Sequence, residues 1–131
     1  MGYRSDVRIR LTKKDFERLK NEFEQEIVPK FGYNYLFNKD NLIYKELKKY
    51  SYWKVTNDGE DIETKEDCVY FGWNWVKWYD GYEDVDFIMN FIQDCDQYAF
   101  CRIGEDMIGD VETRENNMDM IGYYYAFDEE D

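Results

Sequence analysis

The chain has 131 residues, of which 44% are apolar, 20% aromatic and 36% charged, with a formal net charge of −13. One domain with a real core is expected at this length, and so many aromatic side chains argue against a disordered acidic chain. The absence of histidine removes Ser-His-Asp, Cys-His and His-metal mechanisms, and no run of about 18 apolar residues marks a membrane span.

Asp6–Leu11 alternates polar and apolar residues, which predicts a strand with Val7, Ile9 and Leu11 inward and the other face wet. Thr12 and Asp15 form a weak capping box ahead of an amphipathic helix over 13–28. Its stripe is Phe16, Leu19, Phe23 and Ile27, and Pro29 follows its end. Residues 31–39 are an aromatic loop. Asp40 caps a short expected helix carrying Ile43, Leu47 and Tyr50, and 50–55 has strand composition. Residues 57–67 read as an acidic loop turning at Asp58-Gly59. Residues 68–79 read as a central strand, with Gly72 marking a bulge or a close backbone approach.

Asp80-Gly81 breaks that strand. A helix is expected over 83–94, with Val85, Ile88, Met89 and Ile92 as its stripe, Phe87 and Phe91 beside it, and Glu83, Asp84 and Asp86 in the first turn. Strands are predicted over 97–103, 107–113 and 120–127, with turns at 104–106 and 115–117 and an acidic tail at 128–131. The predicted class is α+β: a mainly antiparallel sheet with two main helices on one face, a ferredoxin-like (split βαβ) core and a C-terminal hairpin, all in one domain over 1–131.

Charge is unevenly placed along the chain. Residues 1–56 carry 13 Lys/Arg against 8 Asp/Glu, a net +5, while residues 57–131 carry 4 against 22, a net −18. A solvated acidic surface explains this, and so does a face that docks on a basic partner. Direct DNA or RNA binding by the acidic part is disfavoured, because phosphate contact needs Lys or Arg. The carboxylates placed for a partner are Asp58, Glu60, Asp61, Glu63, Glu66, Asp67, Glu105, Asp106, Glu112, Glu115, Asp128 and Glu129.

A second set of residues suits a small ligand. Trp73 and Trp75 would share one face of the central strand, with Trp78 on the other, and such rings are either core or a stacking platform. Lys77, Arg102 and the N-terminal Arg4, Arg8 and Arg10 would then meet phosphates. Arg102 beside Glu105 and Asp106 reads as a turn with a local ion pair, or as a metal or substrate site. Neither a calcium-loop spacing nor a Walker pattern is present. Cys68, Cys95 and Cys101, an odd set without a CxxC pair, read as small packed side chains. No metal and no cofactor is expected.

Met1-Gly2-Tyr3-Arg4-Ser5-Asp6-Val7, Tyr70-Phe71-Gly72-Trp73, Val76-Lys77-Trp78-Tyr79 and Arg102-Ile103-Gly104-Glu105 together resemble a group of small uncharacterised proteins of phages and prophages. That resemblance transfers no activity and no site residue. It implies a phage origin, and by association an anti-defence role of the anti-CRISPR type.

The expected function is therefore a non-enzymatic inhibitor in the host cytoplasm. Its acidic, nucleic-acid-mimicking surface would bind a host defence protein through that protein's basic nucleic-acid-binding face. No membrane contact is expected, and the opposed basic and acidic segments could drive homo-oligomerisation. The alternatives are a small-ligand binder or sponge for a nucleotide signal, and an enzyme using carboxylates alone.

Overall fold

The computed structural model describes residues 3–106, 109–123 and 127. In order, its elements are β1 (Ser5–Thr12), α1 (Lys13–Glu26), α2 (Val28–Phe31), β2 (Ile43–Val55), β3 (Asp61–Val76), α3 (Glu83–Gln93), β4 (Tyr98–Gly104) and β5 (Val111–Asn116). The strands lie in the order β2-β3-β1-β4-β5, and each neighbouring pair is antiparallel. The protein is thus α+β with an antiparallel sheet, as the sequence predicts. None of the described helices is long and apolar enough to cross a membrane.

The finer expectation of a ferredoxin-like core with a C-terminal hairpin is not established by these pairings. Among the described residues the sheet has five strands rather than the four of that core. Its last strand, β5, pairs with β4 from Tyr98↔Asn116 to Ile103↔Val111 instead of with a later strand. Beyond it, Tyr123 and Phe127 form an isolated bridge. The strand expected over 107–113 starts only at Val111, with 107 and 108 outside the described residues. Residues 124–126 and the acidic tail, 128–131, lie outside them too.

β1 is the middle strand, pairing with β3 from Ser5↔Val76 to Thr12↔Cys68 and with β4 from Ser5↔Gly104 to Arg10↔Ala99. Its odd residues Val7, Ile9 and Leu11 join Phe16, Leu19 and Phe23 of α1 and Val85, Ile88 and Ile92 of α3 in one core, with Phe71, Trp73 and Phe100. Full burial of each such side chain is worth about 1.5–3 kcal/mol. Thr12 caps α1 as expected, accepting from the Asp15 N–H at 3.1 Å, and Pro29 occupies the first turn of α2.

The expected wet face of β1 is a correction. Arg8 and Arg10 are buried, at 3% and 2% exposure. A second core covers them, built from Leu47, Tyr52, Tyr70, Cys101, Met118 and Ile121. Arg10 donates to the Asp119 carbonyl at 2.6 Å, with its guanidinium 4.8 Å from the Tyr50 ring centre; Arg8 donates to the Trp73 carbonyl at 3.2 Å and lies 4.7 Å over Phe127. The carbonyls and ring faces replace the water that each charge gives up.

Two further expectations are overturned. The short helix placed on Ile43, Leu47 and Tyr50 is the first half of β2. Spacings of four and three also suit a bulged strand: Leu47↔Cys68 and Tyr50↔Glu66 leave one extra residue on β2, with Lys49 at φ 51°. The acidic loop is shorter than expected, because only 56–60 turn, closed by Thr56 N–H to the Glu60 carbonyl at 2.8 Å, and β3 starts at Asp61.

Candidate functional site

Near its C-terminal end β3 bulges against β1. Ser5 pairs with Val76 and Val7 with Trp73, so the backbone of β3 has one residue more than β1 across this stretch. The strain falls on Trp75, whose φ of 58° is in the left-handed region, rare for a bulky residue. Its N–H donates to Asp6 Oδ1 at 2.8 Å, and its carbonyl accepts from Arg4 Nη1 at 3.3 Å. The result separates the tryptophans. Trp73 is fully buried, its indole N–H donating to the Leu36 carbonyl at 2.6 Å, whereas Trp75 is 61% exposed.

Strict alternation would have put Trp73 and Trp75 on one face, and the bulge is why it does not. Trp78 returns to the core, stacked on Trp73 at 5.4 Å between ring centres. Gly72 makes the close approach anticipated for it: an added Cβ would overlap the Val7 backbone carbonyl.

Around Trp75 the turn after β4 supplies carboxylates. Arg4, Ser5, Asp6, Trp75, Ile103, Gly104 and Glu105 line a hollow of about 320 Å³. Glu105 accepts from the Arg4 N–H at 2.8 Å, and the Asp106 N–H donates to the Tyr3 hydroxyl at 3.2 Å. Glu105 and Asp106 are exposed.

Arg102 does not pair with that turn. Its guanidinium donates to Asp110 at 2.7 Å and to Ser5 Oγ at 3.0 Å, and lies 3.5 Å from Glu112. The Tyr3 hydroxyl donates to the same Asp110 carboxylate. The hydrogen bond from Arg102, then that from Tyr3, holds the Asp110 carboxyl below its usual range. Arg102 and Trp78 do share a hollow of about 420 Å³, but Asp80, Asp110 and Glu112 line it as well. Three carboxylates to one guanidinium do not make a phosphate site. Lys77 is exposed next to it in sequence, and Arg8 and Arg10 are sealed in the second core.

The other acidic candidates lie elsewhere. Asp58 and Glu60 occupy the β2–β3 turn, and Asp61, Glu63, Glu66 and Asp67 ride the outer part of β3, past the Thr12↔Cys68 pair. That is the opposite end of the sheet from Glu105 and Asp106, which follow the Ser5↔Gly104 pair. Locally, Glu63 accepts from Ser51, Glu66 from the Tyr52 hydroxyl and Asp67 from the Lys49 N–H, each at 3.0 Å. Glu112 also pairs with Arg114 at 2.9 Å, and Glu115 is exposed opposite Ala99. Asp128 and Glu129 lie outside the described residues.

Among the described residues, no group of three or more Cys, Asp or Glu side chains is placed to hold a metal ion. Burial pushes the thiols of Cys68, Cys95 and Cys101 up to about 12, which suits packing rather than nucleophilic chemistry. Sequence reasoning missed Asp6, Asp110 and Tyr3, whose roles depend on pairing across the sheet. It also missed Tyr82 and the aromatic run Phe31, Tyr33 and Tyr35 as surface features.

No protein-family profile, curated protein or solved structure matches the chain.

Proposed function

We propose that this protein is a non-enzymatic phage inhibitor of a host defence system, of the anti-CRISPR type, that docks its carboxylates on the basic nucleic-acid-binding face of a host effector. The observation that carries the binding role is Trp75: a strained, exposed indole, stapled in place by Asp6 and sharing a hollow with Arg4 and Glu105. Residues held in the left-handed region cluster at functional sites, and tryptophan anchors dominate binding energy at protein interfaces. On β3, Asp61, Glu63 and Asp67 recur on one side of the strand at about 6.6 Å per two residues. Interrupted by Lys65, this line of charge lies at the opposite end of the sheet from Trp75 and supports phosphate-backbone mimicry only as a contact separate from the Trp75 face.

In this reading the protein acts in the host cytoplasm, contacts no nucleic acid directly and needs no cofactor. The phage origin and the defence target rest on the resemblance of its opening and central segments to phage proteins. The architecture is read with it as a split βαβ core extended by β5, supported by β3 lying between β1 and β2. A nucleotide sponge has less support, since Trp73, Trp78, Arg8 and Arg10 are all buried. A carboxylate-only enzyme also has less, since Asp110 is held ionised by Arg102, the opposite of what a general acid requires.

The test is capture from bacterial lysate on immobilised protein at low salt, wild type against Trp75→Ala. The wild type should retain a nucleic-acid-binding protein that salt releases, and the variant should retain at least about tenfold less. Recovery of no such protein, or equal recovery by the variant, would sink the proposal.

A further inference from the structure

A second surface, built from other residues, lies where the end of α1, the loop after α2 and the start of α3 meet. There a groove of about 450 Å³ is lined by Phe23, Phe31, Tyr33, Tyr35, Leu36, Gly81, Tyr82, Glu83 and Asp84. Four of its rings stand in solvent: Phe31, Tyr33, Tyr35 and Tyr82 are 48%, 66%, 48% and 44% exposed. Grouped exposed aromatics on a soluble surface mark a binding site more often than scattered ones do.

The loop under them is held in place. Gly32, at φ 78°, ends α2 and turns the chain into the aromatic run, while Gly81, at φ 94°, donates its N–H to Asp86 Oδ1 at 3.0 Å. Tyr82 packs edge-on against Tyr79 at 5.1 Å between ring centres. Lys30 pairs with Glu83 at 2.8 Å, tying α2 to the start of α3.

The chemistry of the lining selects the occupant. Among the described residues its charged members are two carboxylates, Glu83 and Asp84, with no Lys or Arg. Lys30 stands outside the lining, and both partners of its ion pair with Glu83 are 59% exposed, so water or a competing cation can exchange for it. Carboxylates at the rim repel a phosphate or an acidic side chain. A neutral ring would use the aromatic faces and leave the charge unused. A guanidinium uses both: it stacks flat on tyrosine and forms paired hydrogen bonds to a carboxylate.

We infer that this groove is a receptor for an arginine side chain of a basic peptide segment, gripped between Tyr33, Tyr35 and Tyr82 and paired to Glu83 or Asp84. It deepens the reading of a basic partner given above, and gives that partner a second point of attachment, distinct from Trp75.

The experiment uses a fluorescein-labelled peptide of alternating Arg and Gly, with Lys-Gly and Glu-Gly peptides of equal length, in fluorescence anisotropy against the whole chain. The Arg peptide should bind, the Lys peptide more weakly, and the Glu peptide not at all. The double variant Tyr33→Ala/Tyr82→Ala should weaken Arg-peptide binding at least about fivefold. It leaves net charge unchanged, so bulk attraction to an acidic protein does not explain such a loss. Glu83→Gln/Asp84→Asn should weaken it similarly. All the substituted side chains are solvent-exposed or at the groove rim, and circular dichroism confirms the fold of each variant. Equal binding by the tyrosine variant and the wild type, no binding of the Arg peptide, or no preference for Arg over Lys overturns the inference. Because the assay needs no host protein, the groove can fail while Trp75-dependent capture succeeds, and the reverse.

Discussion

At the residue scale, single positions are fixed by what their backbone must do. Trp75 adopts a left-handed conformation because β3 carries an extra residue there and Asp6 accepts its N–H. Gly72 is the opposite case, since its conformation is ordinary but its space is not: a Cβ would overlap the backbone of Val7, which belongs to the middle strand and has no room to retreat. Gly72→Ala should therefore cost about 2–3 kcal/mol, at the upper end of overpacking penalties, read as a lower urea midpoint at constant slope. A loss below about 0.5 kcal/mol would show that β1 and β3 part locally without consequence. The sequence signalled Gly72 correctly, because a glycine inside a strand has few other reasons to be there.

At the scale of elements, β4 and β5 are tied to β1 by charge as well as by the ladder. Arg102 on β4 reaches Asp110 just before β5 and Ser5 on β1, and Tyr3 closes on the same carboxylate. With its pKa depressed below the unfolded value of about 3.9, Asp110 contributes stability that is full above that value and lost as pH falls through the folded one. Its side chain is 29% exposed, so solvent screens part of the effect. Asp110→Asn should be less stable than the wild type by about 1 kcal/mol at pH 7, with the gap narrowing as the pH falls below the unfolded value of about 3.9 and through the depressed folded one. Thermal melts at pH 7 and at a pH below the folded value check this, and an equal gap at both would rule out the carboxylate charge as its source. Asp110 was illegible in the sequence, because the nearer acids Glu105 and Asp106 are closer to Arg102 in number but are carried away by the turn.

At the scale of the whole molecule, the chain's net charge of −13 is felt more strongly outside than the sequence implied. Arg8 and Arg10, two of the cations in its basic first half, are spent inside the second core. Other cations bind acids from distant segments, as in Lys13–Glu46 and Lys30–Glu83. Self-repulsion among the remaining carboxylates should weaken the fold at low ionic strength, so added sodium chloride should raise Tm by a few degrees. A Tm that falls with salt would mean that the surface ion pairs outweigh the repulsion. The carboxylates do not form one patch: those of Asp58–Asp67 and those of Glu105 and Asp106 occupy opposite ends of the sheet, so a single docking face uses one group or the other.

What the sequence determined by itself was the class of fold and the main elements. Val7-Ile9-Leu11 and the stripes of α1 and α3 have periods of two and of three to four, which local geometry imposes wherever one face is buried. Composition also determined which chemistry was missing, since no arrangement in space can supply a histidine. The tertiary structure decided the rest. Whether 43–50 was helix or strand depended on pairing with β3, because a bulged strand and a short helix place apolar residues at the same intervals. Whether β1 had a wet face depended on segments more than a hundred residues later in the chain, Asp119 and Phe127 among them. The tryptophans were settled in the same way. An extra residue in β3 opposite Ser5–Val7 turned Trp75 out and left Trp73 in, and a register shift exists only between two strands, so neither strand's sequence alone records it.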